Sequence, residues 1–243
     1  MATTTQTRRF GWARQPWPWF GAALALAVFG FWPSFLSQLP AAPPYILVHG
    51  ISATLWMALP VVQGWLIWKR KRVPHRRIGY ASLALAAVVA LSGLRVVQTM
   101  VLNEGIDELD TVQFVLLDLT GILLFVVFLA MAVQAARRRD IGLHLRLMAC
   151  TALIPLEAAN ERTAILLFPQ IVPDFDEAIY ASLISMEAIC VALIIAEWRL
   201  NRIRWPFVFM LGYYLVIHAI ATPVALSPQF QAFCLWYAHL GWW

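Results

Sequence analysis

Seven long apolar runs, separated by short polar breaks, set the strongest limit on what this chain can become. They cover about residues 18–37, 45–68, 78–101, 111–136, 143–168, 177–198 and 205–226. A helix needs about 20 mostly apolar residues to cross a bilayer, and every run reaches that length. The runs are continuous and do not alternate in the roughly ten-residue strands of a barrel, which excludes a membrane β-barrel. The sequence therefore predicts an all-α integral membrane protein: a seven-transmembrane-helix bundle forming a single polytopic domain over residues 1–243.

Composition agrees. Charged residues make up 13% of the chain and hydrophobic residues 61%, against about 25% and about 45–50% in soluble domains. That balance excludes a soluble globule, a disordered chain and a disulfide scaffold. Cys150, Cys190 and Cys234 are scattered and lack metal-binding spacing, so they read as packing residues. The first run follows Arg8, Arg9 and Arg14 but contains Pro33 and lacks an A-x-A cleavage site, so it reads as a retained helix. The aromatic tail, 229–243, is too short to span and reads as an interfacial segment.

Loop charges predict orientation. Three Arg near the N-terminus, six Lys or Arg in 69–77, four in 137–146 and three in 199–204 fall on one side of a seven-span topology. By the positive-inside rule that side is cytoplasmic, so the N-terminus is inside and the C-terminus outside. The other loops hold Glu104, Asp107, Glu108, Asp110, Asp174, Asp176 and Glu177, and no Lys or Arg. Asp140 and Glu197 sit at the inner edge. Trp12, Trp17, Trp68, Trp198 and Trp205 flank the inner interface, and Trp236, Trp242 and Trp243 the outer one. The expected location is the bacterial cytoplasmic (inner) membrane, with the lipid bilayer as partner. The net charge of +5 then reports topology and not nucleic-acid binding.

Arg95, Asp118, Glu157, Glu161, Arg162 and Glu187 lie inside the runs. A charge at the bilayer centre costs about 2.5–3.5 kcal/mol on insertion scales, so such groups face inward and often mark function. At about 1.5 Å per residue, they converge on the outer half of the bundle with His49, Gln98, Asn160, Tyr214 and His218. Glu157, Asn160 and Glu161 share one helix face. Tyr214, His218 and Thr222 form a stripe, as do His49, Ser52, Trp56 and Gln63. Arg95 with Asp118, and Arg162 with Glu187, are the expected ion pairs. His75 and His144 lie near the inner interface, and His239 lies in the tail. Pro60 and Pro155 read as kinks.

The segment H-G-I-S-A-T-L-W at 49–56, H-R-R-I-G-Y at 75–80, and His144 with Met148 and a distal Arg162 together resemble an uncharacterised bacterial polytopic membrane family, over about residues 45–165. That pattern is loosely similar to cytochrome b561-type proteins, in which helix histidines ligate haem b. The resemblance implies haem-mediated electron transfer, with His49 and His218 at one depth, His75 and His144 at another, and Arg95 and Arg162 as propionate partners. This chain carries at most one histidine per run, where the b561 type places two on one helix.

The residues themselves leave two further functions open. Asp118, Glu157, Glu161, Glu187 and His218 have the chemistry of a proton- or ion-coupled transporter, or of a site that binds a ligand from outside. His49 and His218 with the acids are also the ligand types of a membrane metalloenzyme, without an HExxH or ExxH spacing. Pure packing through ion pairs leaves surplus acids without partners.

Overall fold

The computed structural model describes residues 15–241 and is all-helical, with no strand among the described residues. Its helices are α1 (Trp17–Phe31), α2 (Pro44–Trp68), α3 (Arg72–Glu104), α4 (Leu109–Arg137), α5 (Ile141–Leu167), α6 (Phe175–Trp198), α7 (Trp205–Ala225) and α8 (Pro228–Ala238). Six of them, α2 to α7, are long and apolar enough to cross a membrane, as a multi-pass membrane protein requires. The N-terminal arginines Arg8, Arg9 and Arg14, Trp12, Trp242 and Trp243 lie outside the described residues.

The first run departs from expectation. Its helix covers only Trp17–Phe31 before the chain turns, and a short 3-10 segment follows at Leu36–Gln38. Pro33 has no N–H to continue the helical hydrogen-bond ladder, which accounts for the break. Helix α3 departs the other way. It begins at Arg72, so most of the basic 69–77 segment is helical and His75 stands on a helix. Pro74 falls in the first turn, where its missing N–H costs no intrahelical bond.

Local chemistry fixes the remaining ends. Asp140 caps α5 by accepting the Leu143 N–H at 3.1 Å, and Ser227 caps α8 by accepting that of Phe230 at 3.3 Å. Arg70, Arg139 and Asn201 close α2, α4 and α6 in the left-handed region, with φ of 59°, 61° and 50°. Glycine would be easiest there. At the first two corners the chain keeps a charge instead.

These corners gather at one end. Arg204 reaches Asp140 at 2.7 Å, Arg146 pairs with Glu197, and His75 lies near His144. The Arg204 guanidinium holds the exposed Asp140 carboxyl below its ordinary range. Its contribution is present at neutral pH and is lost as pH falls through that lowered value. At the opposite end Asp176 lies near Asp110, Asp174 and Glu108. The bundle therefore has a basic end and an acidic end.

Helix α1 packs on α2 and α5. Gly30 makes this possible: a Cβ there would lie 2.5 Å from the Ala159 carbonyl oxygen and 2.9 Å from Thr163 Oγ1. Gly30→Ala is expected to lower stability in detergent by about 1–3 kcal/mol, because the two helices must separate. Gly21→Ala, where a Cβ meets nothing within 4 Å, is the control and should not destabilise. Thermal unfolding of the two variants checks this.

Candidate functional site: an acid-lined cavity

A cavity of about 130 Å³ lies among α2, α3, α4, α5, α6 and α7, in the half of the bundle nearer the acidic end. Small residues make the space, notably Gly93 on α3 and Gly121 on α4. A Cβ at Gly93 would sit 3.1 Å from the Ile122 side chain and 3.3 Å from His49 Cε1. The wall is mainly apolar, with Trp56 and Phe125 edge to face at 4.9 Å between centroids. Its polar members are His49, Asp118, Glu157, Tyr213, Tyr214 and the indole of Trp56.

The hydrogen bonds around the cavity are unevenly spent. Tyr214 donates to the Leu153 carbonyl at 3.3 Å. Thr120 gives its own proton to the Leu116 carbonyl at 2.6 Å, so Tyr213 donates to Thr120 at 2.9 Å. Ser92 gives its proton to the Val88 carbonyl at 2.6 Å, so His49 Nδ1 is the donor in their 3.1 Å bond. His49 Nε2 then carries a lone pair. Asp118 makes no hydrogen bond among the described residues. Glu157 Oε1 and the Trp56 indole N–H are buried without partners.

Among the described residues one cation, Arg162, acts on these acids. Arg162 attracts both Asp118 and Glu157, yet it is held elsewhere. It donates to the Ala158 carbonyl at 2.8 Å, pairs with Glu161 at 3.3 Å, and lies over the rings of Phe31 and Phe175. Glu161 lies one turn from Glu157, on the same face of α5.

The structure brings together His49, Asp118, Glu157 and Tyr214 among the residues singled out in the sequence, with Glu161 and Arg162 directly behind. It sends others elsewhere. The expected Arg95–Asp118 pair does not form, because Arg95 donates to Gln98 Oε1 at 2.6 Å. The expected Arg162–Glu187 pair does not form either, because Glu187 takes His218 Nδ1 at 2.8 Å on the α6–α7 seam. Asn160 donates to Ser185 at 2.7 Å. His218 is thus not part of the cavity wall that holds His49. His144 bonds the Ala132 carbonyl through Nδ1 at 2.9 Å, near His75 at the basic end.

The fit of a cofactor follows from these positions. Pockets for drug-sized ligands measure about 300–1,000 Å³, so a porphyrin does not fit this cavity, and His49 and His218 do not face each other across it. Among the described residues no three of His, Cys, Asp or Glu converge to hold a metal ion.

Helix α8 was the least legible neighbour. The tail is a helix that packs its Cys234, Tyr237 and Ala238 on α3 and α4 beside Val97, a residue of the cavity wall. Gln98 Nε2 donates to the carbonyls of Ala238 at 3.1 Å and Leu240 at 2.8 Å, capping the C-terminal end of α8, and Tyr237 donates to the Leu94 carbonyl at 2.7 Å. Gln98→Leu leaves those carbonyls uncapped, which costs about 1–3 kcal/mol locally. Buried Cys234 should then react with a thiol reagent at least about tenfold faster, since 1.4 kcal/mol of opening energy is a factor of ten. An unchanged labelling rate would show that the Gln98 bonds do not hold the helix.

No protein-family model, no curated protein and no solved structure matches the chain. The chemistry of the cavity is therefore read from its residues.

Proposed function

We propose that the chain is a proton-coupled membrane carrier whose transport site is the Asp118–Glu157 cavity. One observation carries this reading: two carboxyls face one cavity inside a bundle of membrane-length helices, and among the described residues neither Asp118 nor Glu157 Oε1 has a hydrogen-bond partner. Intramembrane acids of this kind build proton relays, because a carboxyl with no fixed partner can exchange its proton with a solute or a neighbour. Glu161 behind Glu157 supplies the next proton acceptor, and Arg162 limits the accumulated negative charge.

In this proposal the basic end faces the cytoplasm of a bacterial inner membrane, following the positive-inside rule. The N-terminus is inside, α1 with the turn after it makes the first of seven crossings, and the cavity is reached from outside past α8. Membership of the uncharacterised polytopic family noted above belongs to the same proposal.

A second reading keeps haem b. His144, oriented through Nδ1 by a backbone carbonyl, leaves Nε2 free beside His75, as an axial ligand requires. These two residues, at the basic end, are the ones that would hold it, and the group would supply one-electron chemistry there.

Proteoliposomes carrying a pH-sensitive dye test the carrier reading. The wild type should dissipate an imposed pH gradient in the presence of a transported solute, and the Asp118→Asn/Glu157→Gln variant should not. Equal rates in the two preparations would remove it.

A further inference from the structure

The cavity's hydrogen-bond inventory specifies what kind of solute it takes. Its acceptors are unspent: Asp118 has no donor, Glu157 Oε1 has none, and His49 presents a lone pair at Nε2. Its donors are spent, because Tyr213 and Tyr214 already give their protons to Thr120 and to the Leu153 carbonyl. Among the described residues of the wall a single donor, the Trp56 indole N–H, is left. Leaving a buried polar group unpaired costs about 1–3 kcal/mol, so the occupant that relieves the site must bring several N–H or O–H groups and little else that accepts.

Charge and shape narrow the choice. Among the described residues no Lys or Arg lines the cavity, and two carboxyls do. Four aromatic rings, those of Trp56, Phe125, Tyr213 and Tyr214, form part of its wall. Aromatic faces beside carboxylates favour a cation, through the ring quadrupole as well as through charge. The volume is about 130 Å³, close to the roughly 150 Å³ engineered cavity that holds one benzene. That sets a limit of about six non-hydrogen atoms.

We infer that the cavity binds a small primary organic ammonium, whose N–H groups engage Asp118, Glu157 and His49 and whose hydrocarbon part lies against the aromatic wall. The inference rests on the reading that this cavity is the transport site, and it names the solute class. Binding is non-covalent. Deprotonation of the bound ammonium by a carboxyl, with the proton retained on that carboxyl, would couple amine movement to proton movement without any further reactant.

Calorimetric titration of the purified full chain with n-butylammonium and with 1-butanol, its neutral isostere, tests the inference. The ammonium should bind at least tenfold more tightly than the alcohol, and Asp118→Asn should remove at least tenfold of that affinity. Gly21→Ala, which lies outside the cavity wall, should keep the preference, and the unfolding midpoint of Asp118→Asn, measured beside its affinity, separates a folding defect from a lost contact. Equal binding of the two probes, or no ammonium binding, overturns the solute class. The carrier reading is judged separately, by whether the pH-gradient rate depends on the two carboxyls.

Discussion

Arg146→Met is expected to lower the stability of the protein by about 3–5 kcal/mol, the cost of leaving a buried charge without its partner. Glu197 is 1% exposed at the basic end of the bundle. Arg146 Nε pairs with one of its oxygens, while the other accepts the Arg204 backbone N–H at 3.1 Å. Arg146 also donates to the Gly142 carbonyl at 2.7 Å, which fixes its side chain along α5. Without the guanidinium, one backbone N–H must balance a desolvated carboxylate. The double variant Arg146→Met/Glu197→Leu should recover most of the loss, because an apolar pair of similar size avoids the desolvation cost. Arg204→Met is the comparison. Its pair with Asp140 is 42% and 39% exposed, and exposed pairs contribute only about 0–1 kcal/mol. Unfolding midpoints of the four proteins in detergent check the order. A midpoint for Arg146→Met as high as that for Arg204→Met would show that the buried pair does not hold α5 to α6.

Asp118→Asn and Gly93→Leu should each reduce carrier flux by at least about tenfold, which corresponds to 1.4 kcal/mol on the barrier. They do so for different reasons. Asparagine preserves the cavity's size and removes the carboxyl that exchanges the proton. Leucine preserves both carboxyls and fills the space, since even its Cβ would press on Ile122 and His49. The Gly93 substitution also costs stability, about 1–3 kcal/mol for overpacking, so its folded fraction is measured beside its flux. Flux in proteoliposomes, normalised to folded protein, reads both variants. Loss in Asp118→Asn with full flux in Gly93→Leu would mean that Asp118 acts somewhere other than in this cavity.

The helical class was legible because spanning segments announce themselves by length and hydropathy, and six of the seven runs became membrane-length helices, five of them within two residues of their expected ends. The first run was misjudged at its end because hydropathy is blind to backbone geometry, and Pro33 ends the helix that the apolar residues alone would continue. Helical spacing correctly grouped Glu157 with Glu161, since residues four apart share a face whatever surrounds them. Ion pairing was not legible. Depth places Arg95 near Asp118, but rotation about the helix axis decides which neighbour a side chain meets, and Arg95 turns to Gln98. The same rotation gives Glu187 to His218. The tail's role was hidden for a related reason: its aromatic composition suits an interface, while its attachment depends on Gln98 meeting the carbonyls of a helix more than a hundred residues away.

The central claim is that the cavity carboxyls take up and release the transported proton. Infrared difference spectroscopy of the reconstituted protein across a pH step observes this directly, through the carboxyl C=O stretch. The account predicts a protonated-carboxyl band in the wild type that disappears in the Asp118→Asn/Glu157→Gln variant. The same band, undiminished, in that variant would contradict it.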